Sequence, residues 1–148
     1  MPSVPDAILL CGGAGLRLRS VTGDGPKSMA RIGGRPFLEL LLRQLQRHGF
    51  RRVVLAVGYR EDVIRSHFGD QAFGMRLAYS SESSPLGTGG ALRKAAGLVE
   101  SDCAFAMNGD SYTEANLSDV VSDYRSSKAD ASLVVVPADG RGDCGSVW

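Results

Sequence analysis

The sequence has no run of apolar residues near the ~20 needed to cross a bilayer. Its first residues, MPSVPDAILLCGG, also lack the basic stretch and cleavage pattern of a secretion signal. Excess charge is missing too: 17 Lys and Arg face 16 Asp and Glu, for a formal net charge of +1. A dedicated nucleic-acid or anionic-membrane surface needs a clear positive excess, so neither nucleic acid nor membrane is expected as a partner. Cysteine is sparse, with Cys11, Cys103 and Cys144 far apart and without C-x-x-C spacing. This predicts reduced, mostly buried thiols in a cytoplasmic protein rather than a metal knot or a disulfide framework. The two histidines, His48 and His67, fall at the ends of expected helices and read as surface residues.

Apolar residues make up 43% of the 148 positions, which is enough for one domain with a real core. Residues 7–11 form a short, nearly all-apolar run, as in a central parallel strand covered on both faces. RIGGRP reads as a tight turn, and Pro36 suits the first turn of a helix over 37–48 that stops at Gly49. Phe37, Leu38, Leu41, Leu42 and Leu45 fall on one stripe of that helix. RRVVLAVGY is a second buried strand, followed by a short helix over 61–68 with Gly69 after it. MRLAYS is a third strand. SESSPLGTGG is a loop leading into a helix that ends near Glu100. CAFAMNGD is a fourth strand with a polar tip at Asp110. Asn116 or Ser118 caps a helix through Lys128, and ASLVVVP is a fifth strand. Strands alternating with helices imply an α/β, Rossmann-like, doubly wound and mostly parallel sheet with helices on both faces. Ligands of such sheets sit beyond the carboxyl ends of the strands, where strand order reverses. The loops at Gly12, Pro85 and Asn108 all follow strands, so all three are expected on one edge.

Glycines after a strand let a backbone approach a phosphate and aim N–H groups at it. The dinucleotide fingerprint G-x-G-x-x-G needs a third glycine, but Gly13-Ala14-Gly15-Leu16-Arg17 leads to Leu18. No acidic residue ends strand two, where Gly58-Tyr59 stands, so a nicotinamide enzyme is disfavoured. The P-loop needs glycine before Lys-Ser, and here Pro26 precedes Lys27-Ser28; proline has no N–H to offer. What remains is Gly12-Gly13-Ala14-Gly15-Leu16-Arg17-Leu18, a spacer, and Pro26-Lys27. Fixed N–H groups with two cations would suit a phosphate ligand.

This pattern resembles the sugar-1-phosphate nucleotidylyltransferases, G-G-x-G-x-R-L followed by P-K. PLGTGGA at 85–91 and NGD at 108–110 match two further motifs of that family, in the same order. The likeness covers the chain from about Ala7 onward. RSVTGDGPKSMARIGGRPFLELLL, RRVVLAVGYR, SPLGTGGAL and AMNGDSY bring it nearest to the guanylyltransferase branch. The resemblance implies the nucleotide-diphospho-sugar transferase fold and the substrates NTP and a sugar 1-phosphate, with Mg²⁺ as cofactor. It also leaves a homo-oligomer open.

By the same resemblance, Leu10, Gly12, Gly13 and Gly15 hold the NTP, Arg17 the outgoing pyrophosphate, and Lys27 the reacting phosphates. Pro85, Gly87 and Thr88 lie in the nucleobase loop, and Glu82, three residues ahead of Pro85, offers two acceptors to guanine. Asp110 binds the metal. Arg19 has no assigned role and reads as a solvated loop charge. The tail departs from the pattern: Cys144-Gly145 stands where relatives tend to have Tyr-Gly. The family's second metal-binding aspartate and much of its sugar-phosphate pocket lie beyond Trp148. The chain is therefore expected to be the NTP-binding portion of one nucleotidyltransferase domain. Two alternatives remain: a nucleotide-binding module that does not turn over, or an enzyme using another nucleotide and sugar phosphate.

Overall fold

The computed structural model describes residues 4–13 and 25–137. Strand β1 (Asp6–Leu10) is central, flanked by β4 (Arg52–Val57) and β7 (Ala104–Asn108), both parallel to it. Beyond β4 lie parallel β6 (Met75–Ser81) and a short antiparallel edge, β5 (Gln71–Ala72). The order β5-β6-β4-β1-β7 places successive crossovers on one side of β1 and then on the other. The reversal of order falls between β1 and β7, where a doubly wound sheet opens a crevice. The expected mostly parallel sheet is therefore present.

Alternation along each strand sorts the core into two layers. Ala7, Leu9, Val53, Leu55, Val57 and Leu77 face one side. There they meet Leu38, Leu41, Leu42 and Leu45 of α1 (Phe37–Arg47), and Ile64 and Phe68 of α2 (Glu61–Phe68). Leu117 of α4 (Leu117–Ser127) joins the same layer. Ile8, Val54 and Ala56 face the other side, against Ala91 and Ala95 of α3 (Gly87–Ala96). The four α1 leucines are wholly buried, and each contributes roughly 1.5–3 kcal/mol relative to exposure. Asn116 caps α4, its side chain accepting from the Ser118 N–H, and Lys128 ends that helix in the left-handed region. Among the described residues no helix is long and apolar enough to cross a membrane.

The lower end of the sheet is tied by a shielded ion pair. Arg52 Nη1 lies 3.0 Å from Asp6 Oδ2, and both side chains are 11% exposed. The same oxygen accepts from the Glu100 N–H at 2.8 Å, while Arg52 also donates to the Leu98 carbonyl. The starts of β1 and β4 are thus fixed to the connection that leads into β7. With so many partners satisfied, breaking either member would strand a poorly hydrated charge.

Three sequence expectations change. Residues 131–137 are not a strand: Leu133, Val134, Val135 and Val136 are 76, 55, 64 and 80% exposed. A hollow of about 850 Å³ lies among β7, α4 and this segment, and no described strand pairs with the outer edge of β7. A β-prone segment without a ladder partner cannot satisfy its backbone as a strand. Helix α3 starts at Gly87, inside the stretch expected as loop, and ends at Ala96 rather than near Glu100 because the chain tightens at Gly97–Val99. Cys11 lies one residue past β1, although its N–H still reaches the Ala56 carbonyl at 2.7 Å. Arg19, Cys144, Val147 and Trp148 lie outside the described residues. Cys103 is free and half-buried, and Cys11 is free and buried.

The junction of β1 and β7 is tightly filled. A Cβ on Gly109 would stand 2.6 Å from Cys11 Sγ and 2.7 Å from the Leu10 carbonyl oxygen, so only glycine fits. Gly109→Ala is expected to cost about 1–3 kcal/mol through overpacking, read as a lower urea midpoint; an unchanged midpoint would show that the junction yields. Burial pushes the Cys11 thiol up to about 12 from 9.0, against a smaller downward pull from the Ser28 hydroxyl. The folded state then keeps a proton that the unfolded chain loses. This contribution is intact below pH 9 and is lost as pH climbs from 9 toward 12, at up to about 1.4 kcal/mol per pH unit. The stability gap between the parent and Cys11→Ala is expected to shrink over that window. A gap that does not vary with pH would mean that the thiol is not held neutral by burial.

Candidate functional site

Four parallel strands deliver three loops to one edge, and backbone bonds past the strand ends hold the loop roots together. Cys11 N–H donates to the Ala56 carbonyl, Glu82 N–H to Val57 at 2.8 Å, and Gly109 N–H to Leu10 at 2.9 Å. The cleft above them, about 320 Å³, is lined by Leu10, Gly12, Gly13, Glu82, Pro85, Gly87, Thr88 and Asp110, together with Ala56, Ala91 and Asn108. Eight of the residues singled out in the sequence therefore share one surface. Gly15 and Arg17 lie outside the described residues.

Glu82 forms one wall. Its Oε2 accepts from the Leu86 N–H at 3.1 Å, fixing the turn that enters α3. Leu86 precedes Gly87, whose φ of +69° suits glycine. No acidic side chain stands in the first turn of α3. The carboxylate of Glu82 and the first turn of α3 thus border the same cleft.

Lys27 arrives from a separate direction. A 3-10 turn, Lys27–Met29, closes through Met29 N–H to the Pro26 carbonyl and Ala30 N–H to the Lys27 carbonyl. Ser28 at its centre is buried, and Met29 packs on the main core. The chain then makes a two-residue hairpin, β2 (Arg31–Ile32) and β3 (Arg35–Pro36). Gly33 and Gly34 take φ of +57° and +82° there, as a primed turn requires. Phe37 N–H closes back on the Ala30 carbonyl, so α1 anchors the turn that carries Lys27.

The result is a charge pair between residues 83 apart in sequence. Lys27 Nζ donates to Asp110 Oδ2 at 2.8 Å, with the side chains 37% and 39% exposed. The other carboxylate oxygen accepts from Ser111 Oγ at 3.1 Å. The Lys27 hydrogen bond is the main reason the Asp110 carboxyl sits below its usual range, against a smaller opposing effect of burial. Asp110 is therefore an anion at neutral pH, lining the cleft and paired with the Lys27 cation.

Among the described residues no group of three or more His, Cys, Asp and Glu could hold a metal ion. A single ionised, partly exposed carboxylate fits only a cation whose other ligands come from water and substrate, which is the habit of Mg²⁺ with phosphates. The donor set is compatible with that ion and too poor for a resident, protein-enclosed metal.

Sequence reasoning expected the Asn108 loop at this edge without naming Asn108 as a site residue, and it gave no role to Ser111, which bonds Asp110. Ala56 carried no signal of its own, and Ala91 was read only as the last residue of the PLGTGGA motif; both are small residues where β4 and α3 approach the cleft. The two histidines stand apart from the lining. His48 Nδ1 lies 3.1 Å from Ser118 Oγ, and the His67 ring stacks edge-on against Phe68.

Comparison with known proteins identifies the family. The family model described as nucleotidyl transferase matches residues 6–146. The D-glycero-alpha-D-manno-heptose 1-phosphate guanylyltransferase of Campylobacter jejuni is 44% identical over 112 residues, which cover 76% of this chain and 50% of that protein. The protein of the same name from Aneurinibacillus thermoaerophilus is 39% identical over 132 residues, covering 89% of this chain and 57% of its own length. HddC from Yersinia pseudotuberculosis, crystallised with GMP-PN, superposes with a TM-score of 0.72 at 35% identity, over 82% of this chain and 54% of that one. The chain thus spans about half the length of the relatives it matches. With nearly all of its residues inside the matched model, the chain belongs to the nucleotidyl transferase family.

Proposed function

We propose that this chain binds a nucleoside triphosphate, with GTP preferred, and serves its transfer to a sugar 1-phosphate, giving an NDP-sugar and pyrophosphate. The observation that carries this reading is the convergence of the Gly12, Pro85 and Asn108 loops on one cleft whose lining includes Asp110, with Lys27 ion-paired to it. The relatives named for guanylyl transfer to heptose 1-phosphate support the substrate pair. Mannose 1-phosphate with GTP is also represented among similar proteins, so the sugar class rests on that kinship rather than on the cleft. The free thiols Cys11 and Cys103 support a reducing, cytoplasmic setting.

The phosphate oxygen of the sugar 1-phosphate would attack the α-phosphorus of the nucleotide. A new oxygen–phosphorus bond forms as the bond to the β-phosphate breaks, and its electron pair leaves on pyrophosphate. The nucleophile is already an anion, so no general base is required, and neither histidine lines the cleft. Lys27 would place a positive charge at the reacting phosphates, where negative charge rearranges during transfer. The backbone of Gly12 and Gly13 would border the polyphosphate, with Arg17 assigned to the departing pyrophosphate by sequence. Asp110 would hold Mg²⁺, which supplies charge neutralisation and orientation of phosphate oxygens when bound.

Glu82 would select the base. Guanine presents two adjacent donors, N1–H and N2–H, and a carboxylate can accept both. The Leu86 N–H occupies one lone pair of Oε2 and leaves acceptor capacity on both oxygens. Uracil and thymine offer one N–H between two carbonyls, which a carboxylate repels.

A second reading is a nucleotide-binding unit that does not turn over by itself. A pyrophosphate-release assay beside nucleotide calorimetry separates the two: release supports transfer, and binding without release supports the second reading. In a releasing protein, Lys27→Ala is expected to lower the rate on the order of 10²-fold or more. Asp110→Asn is expected to abolish turnover while circular dichroism stays unchanged. A near-parental rate in either variant removes that residue from the mechanism. Calorimetric titration of GTP, UTP, dTTP and CTP is expected to rank GTP first, and Glu82→Gln to narrow its lead over UTP, since an amide donates as well as accepts. An unchanged ranking would take Glu82 out of base selection.

A further inference from the structure

Each carboxylate oxygen of Asp110 already accepts one hydrogen bond. Oδ2 is bonded to the Lys27 ammonium and Oδ1 to the Ser111 hydroxyl. A divalent cation approaching this carboxylate meets a fixed positive charge within about one hydrogen-bond length of its target. It also finds no group of three or more acidic, His or Cys ligands among the described residues. The pair is nevertheless breakable: both side chains are more than one-third exposed, and exposed pairs contribute only ~0–1 kcal/mol. Lys27 sits on a turn anchored by buried Ser28 and by α1, so its backbone stays in place while the long side chain can swing.

We propose that the Lys27–Asp110 pair is a lock that bars free divalent metal from Asp110, and that metal and polyphosphate open it together. The inference rests on the nucleotide site proposed above. A polyphosphate competes for the Lys27 ammonium with several anionic oxygens and releases Asp110. It also brings the oxygen ligands that the protein lacks. Metal at Asp110 in turn displaces Lys27 and leaves it for the phosphates. Each ligand therefore strengthens the other by the same factor, as linkage requires. The lock keeps the carboxylate from being saturated by free metal when no nucleotide is present, and it ties the charge rearrangement at the site to arrival of the substrate.

Mn²⁺, followed by electron paramagnetic resonance of the free ion, tests this on the whole chain without an activity assay. The parent should bind Mn²⁺ weakly alone and more tightly beside a non-hydrolysable GTP analogue. Lys27→Met should bind Mn²⁺ alone about 3- to 10-fold more tightly than the parent, the range expected for losing an exposed ion pair and a nearby like charge. Lys27→Met with Asp110→Asn should return to the parent's weak affinity, which places the gain at Asp110. Mn²⁺ binding by Lys27→Met that is no tighter than the parent's, or a gain that survives Asp110→Asn, overturns the lock. Failure of the parent to bind the GTP analogue would sink the nucleotide-site reading and the coupling with it; the comparison without nucleotide would still decide whether Lys27 bars the metal.

Discussion

Everything at the cleft depends on the parallel register of β6, β4, β1 and β7, carried past the strand ends by three backbone hydrogen bonds. The bonds from Cys11 to Ala56, Glu82 to Val57 and Gly109 to Leu10 occur where loops normally separate. They hold three chain segments, distant in sequence, at strand-to-strand spacing. Close approach then selects the residues. Gly58 has the Gly12 carbonyl 3.3 Å from where a Cβ would be, and Gly109 has no room for one. At Gly58 and Gly109 the missing side chain is thus a packing requirement, whereas Gly12 and Gly13 have room for a Cβ.

Charge enters this frame from outside the sheet. Lys27 belongs to no strand or α-helix of the core, yet its position is well determined because Ser28 and Met29 are set into the packed layer and the β2–β3 hairpin leads directly into α1. An exposed ion pair would ordinarily say little about stability. Here its value is placement: the cation and the carboxylate of the pair come from opposite ends of the described chain. Neither alone makes a site, and under the reading proposed above a divalent ion and a polyphosphate would each separate the pair.

Much of this was legible in the sequence because it rests on local patterns. The leucine stripe of α1 matched the buried set Leu38, Leu41, Leu42 and Leu45. The rule that loops after strands share an edge was enough to bring Leu10, Glu82, Pro85 and Asp110 together. What could not be read was tertiary. The Val-rich run at 133–136 has every local feature of a strand, but strand formation depends on a neighbour that sequence periodicity does not reveal. The start of α3 at Gly87 was hidden by its glycines, which lower helix propensity; burial of Ala91 and Ala95 against the sheet compensates. Ser111 lacked a signal because one serine beside an aspartate is ordinary until its hydroxyl is seen on the carboxylate.

The two flanks of β1 are unequally supported. On one side β4 is buried along five of its six residues and is followed by β6. On the other side β7 alternates exposed and half-buried residues and borders the larger hollow. Asp110 therefore stands at the tip of the least buried of the four parallel strands. Its position relies on a few specific contacts: the Gly109 N–H on Leu10, the filled space around Cys11 Sγ, the Ser111 hydroxyl and the Lys27 ammonium. The Gly12 loop follows β1 itself and the Pro85 loop follows β6, while Asp110 follows β7. Under the reading proposed above, Asp110 would exchange an ammonium for a divalent ion, two partners that demand different distances from the same oxygen.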